Sequence, residues 1–395
     1  VRHPASMPDT RPIRLVQFTK SFWLGGTEVQ VVELLRGLPR HYPVQVAVLE
    51  KDGPLLEGVR ALGIEPVAFP LGPSARHPVT LRRVVAAASW LRRMKVELVH
   101  AQDLYSALIA VPAARLAGCK VVVSRLDLGH WHTSLQARVL RWLTAHAHHV
   151  VANAEAIRSQ LLAKEGLPPE RVSVIRNGLD VAAFDARARE GLFLDVPDIG
   201  DAPLVVHVAN MSHPVKRQED LIAAVARARR RVPTLQAFLV GDGARRPELE
   251  SFASAQGVAD AVHFLSWRAD VPALYARATV GVNCSAAEGL SNAVMEGMAA
   301  GLPMVVTDVG GNPELVANGR RGRVVPARAP DALASALVEL VGAPDTAKAM
   351  GRAARSFVVS ELGLGRMVAE HDALYRRLVH GPLTPARDAG PVPHP

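Results

Sequence analysis

The sequence predicts an α/β protein built from two Rossmann-like, doubly wound domains, and three observations lead there. Short apolar runs alternate with longer amphipathic stretches along most of the chain, which is the pattern of repeated βα units around parallel sheets. The alternation is interrupted once, by an Asp-, Gly- and Pro-rich stretch before residue 204. The chain has 395 residues, rich in Val and Ala, with 5% aromatics. That length supports two cores, and that composition suits buried parallel strands covered by Ala-rich helices.

In the first half the expected strands are Ile13–Phe18, Val44–Leu49, Pro66–Phe69, Leu98–Ala101, Lys120–Ser124, His149–Ala152 and Val172–Ile175. Helical periodicity falls near Glu28–Leu38, Leu81–Arg93, Ser106–Leu116, Leu135–Ala145 and Ala156–Lys164. In the second half the strands are Leu204–Ala209, Gln236–Val240, Val262–Leu265, Val280–Asn283, Met304–Thr307 and Arg323–Val325. The helices fall near Gln218–Arg231, Pro247–Gln256, Val271–Ala276, Ser291–Ala300 and Asp331–Val341. A last helix near Leu364–Val379 places Met367, His371, Leu374, Tyr375 and Leu378 on one face.

The expected organisation is a lead-in over 1–12, a first domain over 13–185, a linker over 186–203 and a second domain over 204–357. A helix over 358–380 then returns to the first domain, and a Pro- and Gly-rich tail spans 381–395. Such a pair of sheets is expected to face across a cleft, with ligands at the carboxyl ends of the strands.

No apolar run reaches the ~20 residues that span a bilayer, and the first twelve residues lack the apolar stretch of a secretory signal. Cys119 and Cys284 lie in different expected domains and form neither a disulfide framework nor a zinc motif. A cytoplasmic location is expected, with peripheral contact at the inner face of the membrane as a further expectation. The formal net charge is +9, which favours anionic partners. Without a zinc-finger or RNA-binding motif, nucleic acid is not expected among them. Arg82, Arg83, Arg92, Arg93 and Lys95 flank the apolar stretch VVAAASWL, a pattern shared by basic helices lying on anionic lipid and by ordinary crossover helices. His146, His148 and His149 straddle a helix end and a strand start, and no metal site is expected there.

The chemistry concentrates in Asn283–Glu314. A strand ends near Asn283, a loop presents Glu288, Gly289 and Leu290, and Ser291 is placed to cap a helix that stops before Gly301. Glu288 and Glu296 are eight residues apart. On a helix that spacing is about 12 Å of rise and about 80° of azimuth, so one ligand can run along both. The amide groups over Gly289, Leu290, Ser291 and Asn292 would face a phosphate, which the helix dipole also favours. Glu296 would accept ribose hydroxyls and Glu288 would reach a sugar beyond the phosphates. Taken singly, each glutamate reads more readily as an exposed helix charge, and it is the full arrangement that points to a ligand.

The segment E-G-L-S-N-A-V-M-E, Glu288 to Glu296, resembles the E-x7-E motif of retaining glycosyltransferases with the GT-B fold, of the family-four (group 1) type. The resemblance runs from about Ile13 to Val379. Gly25-Gly26-Thr27-Glu28 is similar to that family's first Gly-rich loop, and Val240-Gly241-Asp242-Gly243 to its G-x-G turn. Lys216 stands where the family places a phosphate lysine. Gly310-Gly311-Asn312-Pro313-Glu314 matches its G-G-x-P-E segment, and Asn177-Gly178-Leu179-Asp180 its N-G-x-D.

The resemblance implies transfer of a sugar from a UDP- or GDP-linked donor to a growing cell-surface glycan or a lipid-linked acceptor, with neither metal nor cofactor. Lys216 and the helix start at Ser291 would meet the charge on the leaving phosphate, and Glu288 would orient the sugar. Gly25, Gly26, Arg217, Gly241 and Arg268 are further donor-side expectations, Arg268 through the loop Trp267–Asp270.

Two positions depart from the family pattern. No histidine follows Val121–Ser124, where Arg125, Leu126 and Asp127 stand, so Asp127 and His130 are the acceptor-side candidates. The arginine that the family places shortly before the lysine is replaced by Asn210-Met211-Ser212-His213, leaving Arg217 as its substitute. Losing one cationic partner outright costs about 2–4 kcal/mol of transition-state stabilisation. These departures keep two other readings open at this point: a non-catalytic nucleotide-sugar-binding subunit of a glycan assembly machine, and a nucleotide-sugar epimerase on the same fold.

Overall fold

A computed structural model describes residues 11–39, 42–74, 77–129, 132–191 and 195–381. Seven strands form the first parallel sheet: β1 (Leu15–Thr19), β2 (Val44–Val48), β3 (Val67–Ala68), β4 (Leu98–Ala101), β5 (Lys120–Arg125), β6 (His149–Ala152) and β7 (Val172–Val174). Their order is β3-β2-β1-β4-β5-β6-β7. Six form the second: β8 (Leu204–Val208), β9 (Gln236–Val240), β10 (Val262–Phe264), β11 (Val280–Asn283), β12 (Met304–Thr307) and β13 (Gly322–Val325). Their order is β10-β9-β8-β11-β12-β13. In both sheets the order reverses direction beside the first strand, which is the doubly wound topology expected from the sequence.

The strands read as nearly unbroken Val and Leu runs because both sheet faces are covered. All five residues of β1 and all four of β11 are buried. Each large aliphatic side chain so buried contributes about 1.5–3 kcal/mol, which outweighs the weak and ambiguous local propensity of such short runs.

Between the strands of the first sheet run α1 (Gly26–Gly37), α2 (Leu56–Arg60), α3 (Pro78–Arg93), α4 (Leu104–Ala117), α5 (Ser134–His146) and α6 (Glu155–Glu165). Their ends follow local rules. Asp103 and Ser106 form a reciprocal capping box on α4, and Gly118 ends that helix at φ +80°.

The expected linker needs correction at its start. Residues 186–190 belong to helix α7 (Val181–Glu190), which Asp180 caps by accepting from the Ala183 amide at 2.9 Å. That helix buries only Phe184, so its apolar pattern is too sparse to stand out in sequence.

The second sheet carries α8 (Gln218–Ala228), α9 (Arg246–Ala255), α10 (Val271–Arg277), α11 (Asn292–Ala299), α12 (Asn312–Val316) and α13 (Pro330–Gly342). Helix α14 (Pro344–Glu361), unforeseen in the sequence reading, precedes α15 (Leu364–His380).

The chain divides into two compact units. One comprises Val1–Ser124, Arg138–Val150 and Val368–Pro395, and the other Arg125–Ala137 and Val151–Met367. Most of α15 therefore belongs with the first unit. There the Tyr375 hydroxyl meets His100 Nδ1 at 2.7 Å and accepts from Gln17 Nε2 at 3.1 Å, and Tyr42 donates to Asp372.

Candidate active site

The second unit brings Lys216 and Glu288 together. They are 72 residues apart in sequence, and Lys216 Nζ donates to Glu288 Oε1 at 2.7 Å. Each side chain is carried by a loop at the carboxyl end of a central strand. After β8 the chain makes a short 3-10 turn, Pro214–Lys216, opened by proline. After β11 it makes the loop that leads into α11. The two loops are fastened to each other: the Ala286 amide donates to the Val215 carbonyl at 2.7 Å, and the Cys284 thiol donates to the Arg217 carbonyl at 3.2 Å. Burial pushes that thiol up, so it stays protonated and acts as a donor.

Glu288 Oε1 takes three donors. Besides Lys216 it accepts from Ser285 Oγ at 2.6 Å and Asn283 Nδ2 at 3.2 Å. Those two are held in turn. The Asn283 amide group also donates to Ser291 Oγ at 3.1 Å, and its oxygen accepts from the Ser285 backbone at 3.3 Å and from Asn312 Nδ2 at 3.3 Å. Thr307 Oγ1 closes the network by donating to the Ser285 carbonyl at 2.6 Å. Among the described residues Glu288 Oε2 has no partner. The carboxylate is thus anchored through one oxygen and offers the other.

The Lys216 and Glu288 side chains are 20% and 10% exposed. Desolvation at that depth offsets most of the Coulombic gain of an ion pair. The pair therefore adds little net stability, and exchanging its partners for a ligand's charge costs correspondingly little.

Ser291 caps α11 as expected, its hydroxyl accepting from the Val294 amide at 3.4 Å. The preceding amides of Gly289, Leu290 and Ser291 donate to no acceptor among the described residues, although all three residues are buried. Unsatisfied buried amides are rare, and these sit beside an ammonium group at the positive end of a helix. The arrangement suits an oxyanion.

Glu296 lies one turn inside α11. Burial pushes its carboxyl up to about 7, partly opposed by Arg187, and no side chain among the described residues hydrogen-bonds it.

The family models described as Glycosyltransferase Family 4 and Glycosyl transferases group 1 match residues 24–183 and 202–343 respectively. The GDP-mannose-dependent alpha-(1-6)-phosphatidylinositol monomannoside mannosyltransferase of Mycolicibacterium smegmatis is 32% identical over 306 residues, which cover 72% of this chain and 78% of that protein. The chain is a family-four glycosyltransferase.

The Mycobacterium tuberculosis protein of the same description is 31% identical over 323 residues, covering 77% of this transferase and 81% of that chain. Among solved structures, an Anabaena HepE complex with UDP and glucose superposes with a TM-score of 0.80 at 22% identity, over 92% of this chain and 99% of that one. That likeness bears on the fold, which is GT-B.

The structure assigns several other expected site residues of the transferase to different work. Arg217 adopts φ +54° at the start of α8. Its guanidinium clasps Asp220 at 2.6 and 2.8 Å and meets Glu219 at 2.7 Å. It is already committed to carboxylates rather than held out as a substitute cation. Arg268 is corrected more firmly. It binds Asp270 through two bonds of 2.7 Å and Asp195 at 2.8 Å, with only 6% of its side chain exposed. A guanidinium so enclosed braces the loop ahead of α10 and is not presented to a ligand.

The glycines also have internal reasons. Gly241 sits at φ +131°, where an added Cβ would strike the Ala209 carbonyl. An added Cβ on Gly289 would strike the Leu126 carbonyl, and one on Gly310 the Glu288 carbonyl. Gly25 caps α1 without a side chain, and the Glu28 carboxylate folds over it. Gly26 opens that helix, and both Gly25 and Gly26 belong to the other unit.

Asp127 accepts from the Gly129 amide at 2.6 Å in a local turn. His130 lies outside the described residues. Glu314 of the G-G-x-P-E segment caps α6 by accepting from the Glu155 and Ala156 amides at 3.1 and 2.8 Å. Asn177 donates to Asn292 Oδ1 at 2.7 Å and to the Leu290 carbonyl at 3.2 Å, steadying the start of α11.

Sequence reasoning missed Asn283, Ser285, Thr307 and Asn312, the residues that hold Glu288 in place. Asn283 and Thr307 give one signal, as polar residues ending otherwise apolar strands, whereas Ser285 in the loop after β11 and Asn312 at the start of α12 give none. It also missed His207, buried under the site. His207 Nδ1 meets the Val282 carbonyl at 3.0 Å, and burial lowers its pKa to about 4, so it stays neutral.

Proposed function

We propose that this glycosyltransferase moves a hexosyl group, mannosyl from GDP-mannose in the first instance, onto a lipid-linked or glycan acceptor with retention of anomeric configuration and without a metal. The observation that carries the reading is the Lys216–Glu288 pair with its free carboxylate oxygen, set beside three unclaimed amides at the start of α11. In the reaction the bond from the sugar's anomeric carbon to the diphosphate oxygen breaks. A bond from that carbon to an acceptor hydroxyl forms, and the hydroxyl proton passes to the departing phosphate. Lys216 and the three amides meet the charge that develops on the leaving diphosphate. Glu288 accepts a sugar hydroxyl through Oε2 and lies close enough to favour positive charge on the ring. Glu296 takes the ribose hydroxyls of the nucleotide.

Support for the donor comes from the mycobacterial relatives, whose descriptions specify GDP-mannose and a phosphatidylinositol mannoside. Among the described residues no group of three or more His, Cys, Asp or Glu is arranged to hold a metal ion. The metal-free reading is tested directly by adding a chelator to the assay.

Thermal shift across GDP-, UDP- and ADP-linked sugars, followed by product analysis by NMR, tests the rest. The expected results are a rise in melting temperature with one donor class, an α-linked product from an α-linked donor, and turnover that survives EDTA. Glu288→Gln should keep donor binding within several-fold and lower kcat by about 10²–10³. A Glu288→Gln enzyme with undiminished kcat removes the assigned role.

A second reading, donor binding without turnover, is favoured by one observation: the nearest candidate for the family's second cation, Arg217, is bound up by Asp220 and Glu219. Donor binding with neither transfer nor donor hydrolysis selects it.

A further inference from the structure

The two faces of the first sheet are built differently. On one, Val16, Phe18, Val99, Ala101, Val121 and Val123 enter an apolar cluster. Side chains alternate along a strand, so Gln17, His100 and Ser124 stand on the other face, and Gln102 follows β4 in the same phase. All four are buried, as is Tyr375 of α15, which meets them there.

These five side chains close a circuit of hydrogen bonds. Gln17 Nε2 donates to the Tyr375 hydroxyl at 3.1 Å, and that hydroxyl meets His100 Nδ1 at 2.7 Å. His100 Nε2 meets Ser124 Oγ at 2.9 Å, Ser124 Oγ donates to Gln102 Oε1 at 2.9 Å, and Gln102 Nε2 donates to Gln17 Oε1 at 2.7 Å. The direction assigns the histidine. The Ser124 proton is spent on Gln102, so His100 Nε2 carries a hydrogen. Nδ1 is then the acceptor and Tyr375 the donor. Turning both glutamine amides over reverses the circuit and again leaves one nitrogen of His100 donating and the other accepting. In both directions the circuit closes on a neutral imidazole and has no place for a second proton.

An imidazolium donates from both nitrogens. The Tyr375 oxygen would then accept from His100 as well as Gln17, and its own O–H would be buried without an acceptor. A buried donor left unmade costs more than the bond contributes when made. Among the described residues the titratable neighbours that act on His100 are His371 of α15 and His149 of β6, and both oppose a charge on it. Asp372, beside His371, is taken by Tyr42 and by Arg376 at 3.0 Å.

Four members of the circuit belong to β1, β4 with its continuation, and β5, and only Tyr375 belongs to a helix near the end of the chain. A circuit broken by charge is relieved when α15 leaves, because its polar groups then meet water. The apolar cluster on the opposite face still holds the strands, so the opening is local.

We propose that α15 is a strap that acid releases: a proton taken by His100 breaks the circuit, and residues 368–380 lift from the first sheet while the sheet stays folded. The proposal is independent of the donor and the acceptor. Burial holds His100 well below the ordinary histidine range. The docked form therefore excludes a proton that the open form binds, and docking is lost as pH falls below about 6.5.

The test is hydrogen–deuterium exchange of the full chain between about pH 7 and about pH 5, with each rate divided by that of the unfolded chain at the same pH. The opening constant of 368–380 should rise about tenfold per pH unit below about 6.5, while peptides from β1 and β4 keep their protection. His100→Gln keeps a donor and an acceptor and does not titrate, so the slope should vanish, whereas His371→Gln should retain it. Tyr375→Phe removes two bonds and leaves the strands untouched, and should raise the opening constant at pH 7 by about ten- to a hundred-fold. Protection of 368–380 that is flat with pH overturns the proposal, and so does loss of protection in β1 and β4 in step with it. A slope that survives His100→Gln, or one abolished by His371→Gln, overturns the role of His100. Undiminished protection in Tyr375→Phe shows that the circuit does not hold the helix, and that variant decides the matter should His100→Gln fail to fold.

Discussion

Glu296→Gln should stabilise the donor-free protein above neutral pH while weakening its hold on the donor. Burial in α11 pushes the Glu296 carboxyl from an ordinary 4.5 up to about 7, with Arg187 opposing part of the rise. Between those values the folded carboxyl keeps a proton that the unfolded one has released. Folding therefore takes up a proton in that window, stability falls as pH rises through it, and the loss is complete above pH 7. Tenfold in proton affinity corresponds to about 1.4 kcal/mol, so the whole interval costs the fold about 3 kcal/mol. That figure is an upper one, because the side chain keeps some contact with water.

Glutamine has the same shape and does not titrate. Urea unfolding of parent and variant at about pH 5 and about pH 8 isolates the effect, since the other groups titrate alike in both proteins. The stability of the variant relative to the parent should grow by about 2–3 kcal/mol between the two conditions. In the same preparations nucleotide-sugar affinity near neutral pH should fall ten- to a hundred-fold, the worth of about 1.5–3 kcal/mol for hydrogen bonds to a charged acceptor. A difference in stability that does not change with pH would show that the carboxyl is not held protonated by burial. Unchanged donor affinity would show that the ribose lies elsewhere.

Two further substitutions separate positioning from stability. Ser285→Ala removes the 2.6 Å donor to Glu288 Oε1. It should lower kcat about ten-fold, from about 1–1.5 kcal/mol of lost alignment, with little change in donor KM. Ser285→Thr should restore much of the rate, and an equal loss in both variants would mean that packing matters rather than the hydroxyl. Arg268→Gln leaves Asp270, itself 3% exposed, without its cation. The expected result is a loss of about 3–5 kcal/mol in urea unfolding with donor affinity unchanged. Weakened donor binding at full stability would return Arg268 to the donor site.

The candidate site was legible where local geometry carries the meaning. Ser291 as a cap, Glu288 just before the helix and Glu296 a turn inside it follow from residue type and helical spacing, and the structure has each of them there. Lys216 was named from a resemblance, and its contact with Glu288 is not written in either segment. Arg268 and Arg217 looked like free cations because a sequence does not display the carboxylates that enclose them. Arg268 is 73 residues from Asp195. Gly241 and Gly289 looked like ligand glycines, and the structure gives them protein carbonyls to avoid. Helix α14 escaped notice because its buried face rests mainly on Ala, Gly and Met rather than on a strong apolar stripe.

What the sequence determined by itself was the alternation of buried strands and amphipathic helices, and with it two doubly wound sheets. A run of Val and Leu can satisfy both its backbone and its side chains only inside a covered sheet. What only the tertiary structure decided is which polar groups meet at the strand ends. Loops bring together residues separated by tens of positions, and the partner of a buried charge is set by three-dimensional packing. That is why Glu288 has Lys216, Ser285 and Asn283 on one oxygen and none on the other, an asymmetry that no spacing rule contains.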